Sequence, residues 1–301
     1  MGPSAITAIT MRFDVSHRST YKYILPVVQS RHLLHLLPRS TPAQTLIHHS
    51  LLINPAPAVQ THIVDFFGNS AVLLRIDDEH EELIVHARSA VDVAAPLPVD
   101  LSASAAWEDV VDLCARSVPP CTIDVVQFTC PSRHTPVDSK IAAFAHSLFS
   151  PRLPVLEAAM TLTRHMFEEF SFDPAATDIS TPVQKVLETK RGVCQDFAHL
   201  AIAALRSLRL PARYVSGYLL TRPPPGEVKL KGADASHAWI SVWAPGSGWV
   251  DFDPTNGIIP SGEHITIGWG RDYEDICPIG GVLLGGGDQT MSVSVDVEPT
   301  A

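Results

Sequence analysis

Positive charge is scarce in this 301-residue sequence: 22 Lys and Arg stand against 32 Asp and Glu, the net charge is −10, and no basic run or stripe interrupts the balance. Nucleic acid and anionic membrane surfaces are therefore poor partners. Long apolar runs are missing too. No stretch reaches the length of a membrane span, and the opening MGPSAITAIT has neither a basic n-region nor an apolar h-region. The expectation is a soluble, cytoplasmic protein without a membrane contact. Gly2 does not license N-myristoylation, because Ile6 stands where Ser or Thr is required. Cysteine is sparse: Cys114, Cys121, Cys130, Cys194 and Cys277 are an odd number at irregular spacing without a C-x-x-C pair. That pattern predicts reduced thiols rather than a disulfide framework or a thiolate zinc site. There is no H-E-x-x-H, and histidines such as His32, His35, His48 and His49 fall on predicted strands without a carboxylate or cysteine at ligand spacing. No metal and no cofactor is expected.

What is present is a globular composition, 46% hydrophobic, in a chain long enough for two domains. Residues 12–94 read as successive strand-like stretches, RFDVSHRSTYKY, SRHLLHLL, TLIHHSLLIN, THIVDFFGNSAVLLRI and EELIVHARSAVDV, punctuated by Pro38, Pro42, Pro55, Pro57 and the turn-like Gly68-Asn69. A small all-β N-terminal domain is predicted, preceded by a tail over residues 1–11. The run of small residues and proline after residue 94 marks a boundary, and residues 95–135 read as a linker and helical connection. From residue 136 to 301 helices are followed by strands, the mark of an α+β domain. VLEAAMTLTRHMFEEF places Leu156, Met160, Leu162, Thr163, Met166, Phe167 and Phe170 near one helix face. ARYVSGYLL, HAWISVW, WVDFDP and finally MSVSVDVEP read as the strands of that domain and its C-terminal segment.

One cysteine sits where chemistry is plausible. After Cys194 the apolar residues Phe197, Leu200, Ala201, Ala204, Leu205 and Leu208 recur at helical spacing until Pro211, and Gly192 offers a flexible entry. Cys194 thus falls in or just before a first helical turn, where partial positive charge favours a thiolate and free N–H groups can hold an oxyanion. Asp196 opposes this unless paired elsewhere. A thiolate catalyst needs a base. In SHAWISVW, alternation puts His237, Trp239, Ser241 and Trp243 on one strand face, and in WVDFDP it puts Trp249, Asp251 and Asp253 together. The APGSG turn between them makes a hairpin. Position numbers summing to 490 set His237 opposite Asp253, a sum of 492 makes that pair diagonal, and 488 favours Asp251; a carboxylate at any of these spacings can orient the imidazole.

These stretches resemble the transglutaminase-like superfamily: Gly192-Val193-Cys194-Gln195-Asp196-Phe197, then ARYVSGY, SHAWISVW and GWVDFDPTNG. More narrowly, SHRSTYKY, LHLLPRSTPAQ, DFFGNSAVLLRI and the late GRDYEDICPIGGVLLGGG are similar to the bacterial transglutaminase-like cysteine peptidases. The resemblance implies a papain/transglutaminase-like core with Cys194 as nucleophile, His237 as general acid/base and Asp253 as orienting carboxylate. Asp251 stays outside that triad. It further implies a peptide or protein substrate, a thioester intermediate, hydrolysis or transamidation of an amide, and an ATP-grasp-type partner protein; a non-catalytic binding module is the rival reading. Phe172 stands where the family commonly has tyrosine. The calcium dependence of animal transglutaminases has no acidic loop to support it here. Gln195, Trp239, Arg271 and Tyr273 are further site candidates, with Arg271, Asp272 and Tyr273 read as a cluster satisfying its own hydrogen bonds. Asp196 and His199 read as a supporting pair on the cysteine helix, and Cys277 as an incidental small apolar residue.

Overall fold

The computed structural model describes residues 10–222 and 236–300. Residues 1–9 of the expected tail lie outside the described residues. The first five strands, β1 (Thr10–Leu34), β2 (Gln44–Asn54), β3 (Val59–Val64), β4 (Ser70–Ile76) and β5 (His80–Ala94), form an antiparallel sheet in the order β2-β5-β1-β4-β3. Strict alternation builds its apolar face: Phe13 and Val15 on β1, Val91 and Val93 on β5 are all buried. The two stretches RFDVSHRSTYKY and SRHLLHLL, which read as separate strands, belong to the single 25-residue β1. Its register against β5 shifts between Lys22 and Val27, after which it pairs with β4 instead. The β3–β4 turn is locked by Asp65, whose Oδ1 accepts the Phe67 and Asn69 N–H groups at 2.8 and 2.7 Å, and Gly68 supplies the φ of +76°.

The α+β part follows as α1 (Trp107–Arg116), α2 (Ile123–Val126), α3 (Ser139–Leu148), α4 (Val155–Glu169), β6 (Ser171–Phe172), α5 (Val183–Thr189), β7 (Arg191–Gly192), α6 (Cys194–Ser207), β8 (Ala212–Leu219), β9 (Ser236–Ala244), β10 (Gly248–Phe252) and β11 (His264–Gly270). The sheet order is β10-β9-β8-β11, all antiparallel, and α6 lies on it as the most buried helix. Ala198, Leu200, Ala201, Ile202, Ala203, Ala204 and Leu205 are fully buried, so small residues let α3, α4 and the sheet close on α6 from all sides. The face expected on α4 is buried except for Phe167, which is half exposed and rests against Gly257.

Three expectations change. The C-terminal segment is not part of this second sheet: β12 (Ile279–Gly285) and β13 (Gln289–Thr300) pair with the second and first halves of β1. A 25-residue strand flanked by β5 and β4 on one side presents unpaired backbone groups on the other, and these two strands satisfy them. Residues of the expected connection also belong to the helical core, where Val110, Cys114, Cys121 and Val125 are buried with α4 and α6. Finally, Cys114 and Cys121 form a disulfide, with Cα atoms 5.4 Å apart, and leave Cys130, Cys194 and Cys277 free. Ser117 ends α1 in the left-handed conformation and turns the chain back toward the helix, which brings together two cysteines whose sequence spacing carries no such signal.

The two sheets share an apolar seam of Phe13, Val15, Val91, Val93, Val295 and Val297 against Tyr218, Leu220, Ile265 and Ile267. Side-chain amides then complete the open edge of β11. Gln44 donates to the Thr266 carbonyl at 2.7 Å and accepts its N–H at 2.8 Å, and Asn69 does the same for Trp269 at 2.8 and 3.0 Å. Arg39 stacks 3.6 Å over the Trp269 ring. The β-domain thereby holds β11, the strand that brings His264 to the site.

Candidate active site

Cys194 is the first residue of α6, entered from the short parallel pair of β6 and β7. Its first-turn N–H groups have no intrahelical partner. Gly192 is required by close approach rather than flexibility: a Cβ there would sit 2.8 Å from Asp196 Oδ2. Asp196 turns back and accepts the Val193 N–H at 2.8 Å and the Thr177 hydroxyl at 2.6 Å, the carboxylate half of a capping box. Burial pushes its pKa up against these bonds. The negative charge is thus engaged with Val193 and Thr177.

The β9–β10 hairpin pairs at a position sum of 492, with Asp251 opposite Ser241 and Phe252 opposite Ile240. His237 and Asp253 are therefore diagonal, the second of the registers weighed from the sequence, and their side chains close the gap: His237 Nε2 lies 2.7 Å from Asp253 Oδ2. With Nε2 so occupied, Nδ1 is the ring nitrogen left for Cys194, which neighbours the ring and acts on its proton by hydrogen bond and charge. Burial alone would lower the pKa of His237, but the hydrogen bonds and charges of Asp253 and Cys194 outweigh it and raise it to about 10. Asp253, with no exposed surface, moves the opposite way: burial would raise its pKa, yet bonds from His237, His264 and Asn256 pull it below the usual carboxylate range.

Asp253 is saturated. Oδ1 accepts the N–H groups of Thr255 at 2.9 Å and Asn256 at 3.2 Å, and Oδ2 accepts the Asn256 amide at 2.7 Å and His264 Nε2 at 3.1 Å besides His237. Asp251 serves another purpose, accepting Trp239 Nε1–H at 2.9 Å. Trp239 flanks both imidazoles, stacked at 6.0 Å on His237 and edge-on at 5.3 Å to His264, and the centroids of the two imidazoles are 5.8 Å apart. Gly217 makes room for it, since a Cβ there would come within 2.5 Å of the indole.

The remaining sequence candidates scatter. His199 does not pair with Asp196: three residues apart on the helix they point differently, and His199 Nε2 accepts the Tyr273 N–H at 3.2 Å while its ring stacks on His134 at 5.2 Å. Burial, with His134 nearby, lowers its pKa to about 3. Arg271, Asp272 and Tyr273 do not bond one another as expected: Arg271 is held by Asp275, Asp272 accepts the His134 and Glu274 N–H groups and caps the turn at Tyr273–Ile276, and the Tyr273 N–H goes to His199. Cys277 Sγ lies 3.2 Å from the Tyr273 hydroxyl. Gln195 is half-buried beside the nucleophile on α6, and Phe172 is largely exposed on β6. His35, expected without a carboxylate partner, meets Asp65 at 3.4 Å across the β-domain. Two residues were not foreseen at all. Arg206, on α6, donates to the carbonyls of Phe128, Ala212 and Arg271 and to the hydroxyls of Ser132 and Thr135. His264 was detectable only as a lone polar residue opening the apolar strand HITIGW.

His237, Asp253 and His264 bring three donor atoms within 4.8 Å of one another. A cation there would need His264 Nε2 free of its proton. The Ser261 N–H points at His264 Nδ1 from 3.3 Å, which keeps the proton on Nε2. The donor chemistry fits a hydrogen-bonded chain rather than a metal centre.

The comparisons agree with this architecture. Residues 142–254 match the Transglutaminase-like superfamily, and residues 13–92 the Bacterial transglutaminase-like N-terminal region. Uncharacterized proteins of Mycobacterium tuberculosis and Mycobacterium leprae are 36% and 33% identical to the chain, covering 96% and 95% of it and 93% and 98% of their own lengths. A protein-glutamine gamma-glutamyltransferase of Pseudomonas aeruginosa is 32% identical over 110 residues, 36% of this chain and 16% of that protein. Among solved structures, a candidate cysteine protease from Cytophaga hutchinsonii superimposes with a TM-score of 0.76 at 21% identity, over 98% of this chain and 92% of that one. The chain belongs to the transglutaminase-like superfamily, in the form that carries the bacterial transglutaminase-like N-terminal region.

Proposed function

We propose that the protein is a cysteine-dependent acyl-transfer enzyme acting on amide bonds, and that water is its usual acceptor. The observation that carries this reading is the position of Cys194 at a helix N-terminus beside an imidazole whose far nitrogen is bonded to a buried carboxylate. The Cys194 sulfur attacks the amide carbonyl as thiolate. The developing oxyanion is met by the Cys194 backbone N–H. With its pKa raised to about 10, His237 carries a proton at neutral pH and gives it to the departing nitrogen as the C–N bond breaks. A thioester remains on Cys194. The neutral imidazole then takes a proton from an attacking water, the C–S bond breaks, and a carboxylic acid leaves with the starting thiolate and imidazolium restored.

A primary amine in place of water gives transamidation. That second reading is favoured by the similarity of about a third of the chain to a protein-glutamine gamma-glutamyltransferase. The test is mass spectrometry of a mixed peptide pool incubated with the protein and a labelled primary amine, beside a Cys194→Ala control. Cleaved or deamidated peptides absent from the control support hydrolysis, and amine-tagged peptides support transamidation. Identical spectra with and without Cys194, across pH and reducing conditions, would overturn both in favour of a binding module.

A further inference from the structure

His264 bonds the same carboxylate oxygen as His237, although it lies on a different strand and outside the three residues given chemical roles above. It is buried, its ring is boxed by Trp239, and both of its nitrogens are committed. The Ser261 N–H occupies Nδ1, while the His264 backbone N–H returns to the Ser261 carbonyl at 3.2 Å, so the loop before β11 clamps the residue at both ends. The only proton the ring can offer is on Nε2, and it points at Asp253. β11 is itself anchored by Gln44 and Asn69 of the β-domain.

We infer that His264 is a positioning residue for the reaction at Cys194, acting through Asp253: its fixed N–H aims the carboxylate and shares Oδ2 with His237. The inference rests on the acyl-transfer reading for its purpose. Two effects follow from the geometry. Oδ2 receives three donors, from His237, Asn256 and His264, so the carboxylate cannot rotate away from His237 without breaking all of them. Each neutral N–H on Oδ2 also draws off part of the negative charge that stabilises the imidazolium. His264 therefore holds the ring in line with Cys194 and keeps it from binding its proton too tightly to release it. Among the described residues, the titratable groups facing His237 are Cys194 from α6, Asp253 from the end of β10 and His264 from β11, with Asp251 bonded to Trp239 behind them.

The test uses the full chain and needs no substrate. His264→Leu removes the donor, whereas His264→Gln returns an N–H that reaches Asp253. Two signals are followed: the ring resonances of His237 against pH by NMR, and the rate of Cys194 alkylation by iodoacetamide. In His264→Leu the His237 titration is expected to move up by roughly one pH unit, about the strength of one hydrogen bond to a charged group. Alkylation slows by about 10- to 100-fold, the usual effect of losing an outer partner that orients a reactive group. His264→Gln brings both back most of the way. An unchanged His237 titration in folded His264→Leu, or a glutamine variant no closer to wild type than leucine, overturns the inference. If leucine prevents folding, His264→Asn replaces it, being too short to reach Asp253, and equal behaviour of Asn and Gln is the refuting result. Failure of the acyl-transfer reading looks different: wild-type Cys194 would then alkylate no faster than Cys130 and Cys277, whatever His264 does to the His237 titration.

Discussion

Replacing Asp253 with alanine removes the acceptor of five N–H groups at once: Thr255 N, Asn256 N, Asn256 Nδ2, His237 Nε2 and His264 Nε2. The site is fully buried, so water does not take over freely. Removing one partner of a buried charge pair costs on the order of 3–5 kcal/mol, and an orphaned buried donor about 1–3 kcal/mol. Because the loop at 255–256 and the two imidazoles can relax to re-satisfy the orphaned donors, the expected loss is close to the charge-pair figure alone, about 3–5 kcal/mol, read as a shift of the urea midpoint at unchanged m-value. The pH dependence gives a second, sharper readout. The folded-state pKa of His237 is raised to about 10 from 6.5, so its stabilisation is fully present below pH 6.5 and is lost as pH rises toward 10. The wild-type stability should fall across that window with a contribution approaching 1.4 kcal/mol per pH unit from this one group. In Asp253→Ala the first of the raising causes is gone, and the difference in stability between wild type and variant should shrink from pH 6.5 to 10. Urea unfolding followed by tryptophan fluorescence at pH 6, 8 and 9.5 measures it. A variant within about 1 kcal/mol of wild type, or a difference that stays constant with pH, would refute the account of the carboxylate as the group that holds His237 charged.

Thiol titration of unfolded protein without reductant should count three reactive cysteines out of five, and reduction should destabilise the fold by about 2 kcal/mol, the loop-closure value for a bridge spanning seven positions; five thiols without reductant would contradict the Cys114–Cys121 bridge. Arg206→Met should cost on the order of 3 kcal/mol, because it strips hydrogen bonds from three carbonyls, those of Phe128 and Ala212 buried, and from two hydroxyls that tie α6 to β8 and to the turn before Tyr273; thermal unfolding checks this, and a change below about 1 kcal/mol would show that methionine packing replaces the network.

Local pattern was enough to read the position of Cys194 at a helix start and the parity that puts His237, Trp239, Asp251 and Asp253 on one side of a hairpin. Both follow from periods of 3.6 and 2 that a chain cannot hide. The hairpin register was not legible, since sums of 490 and 492 differ only by how the turn closes, and the observed 492 makes the His237–Asp253 pair diagonal. The Asp196–His199 pairing failed for the opposite reason. Helical spacing set them three apart, but Asp196 satisfies the Val193 N–H below it and His199 is captured by Tyr273, some 74 positions later in the chain.

By itself the sequence determined the order of elements, a β-rich part before an α+β part, and the family-like arrangement of cysteine, histidine and aspartate along the chain. It did so because amphipathic periodicity and turn chemistry are properties of neighbouring residues. The tertiary structure alone decided which strands satisfy the free side of β1, that Cys114 meets Cys121, and that His264 joins His237 on one oxygen of Asp253. Those outcomes depend on unpaired backbone edges, chain reversal and the demand of a buried carboxylate for donors, which act between residues with no fixed separation in sequence.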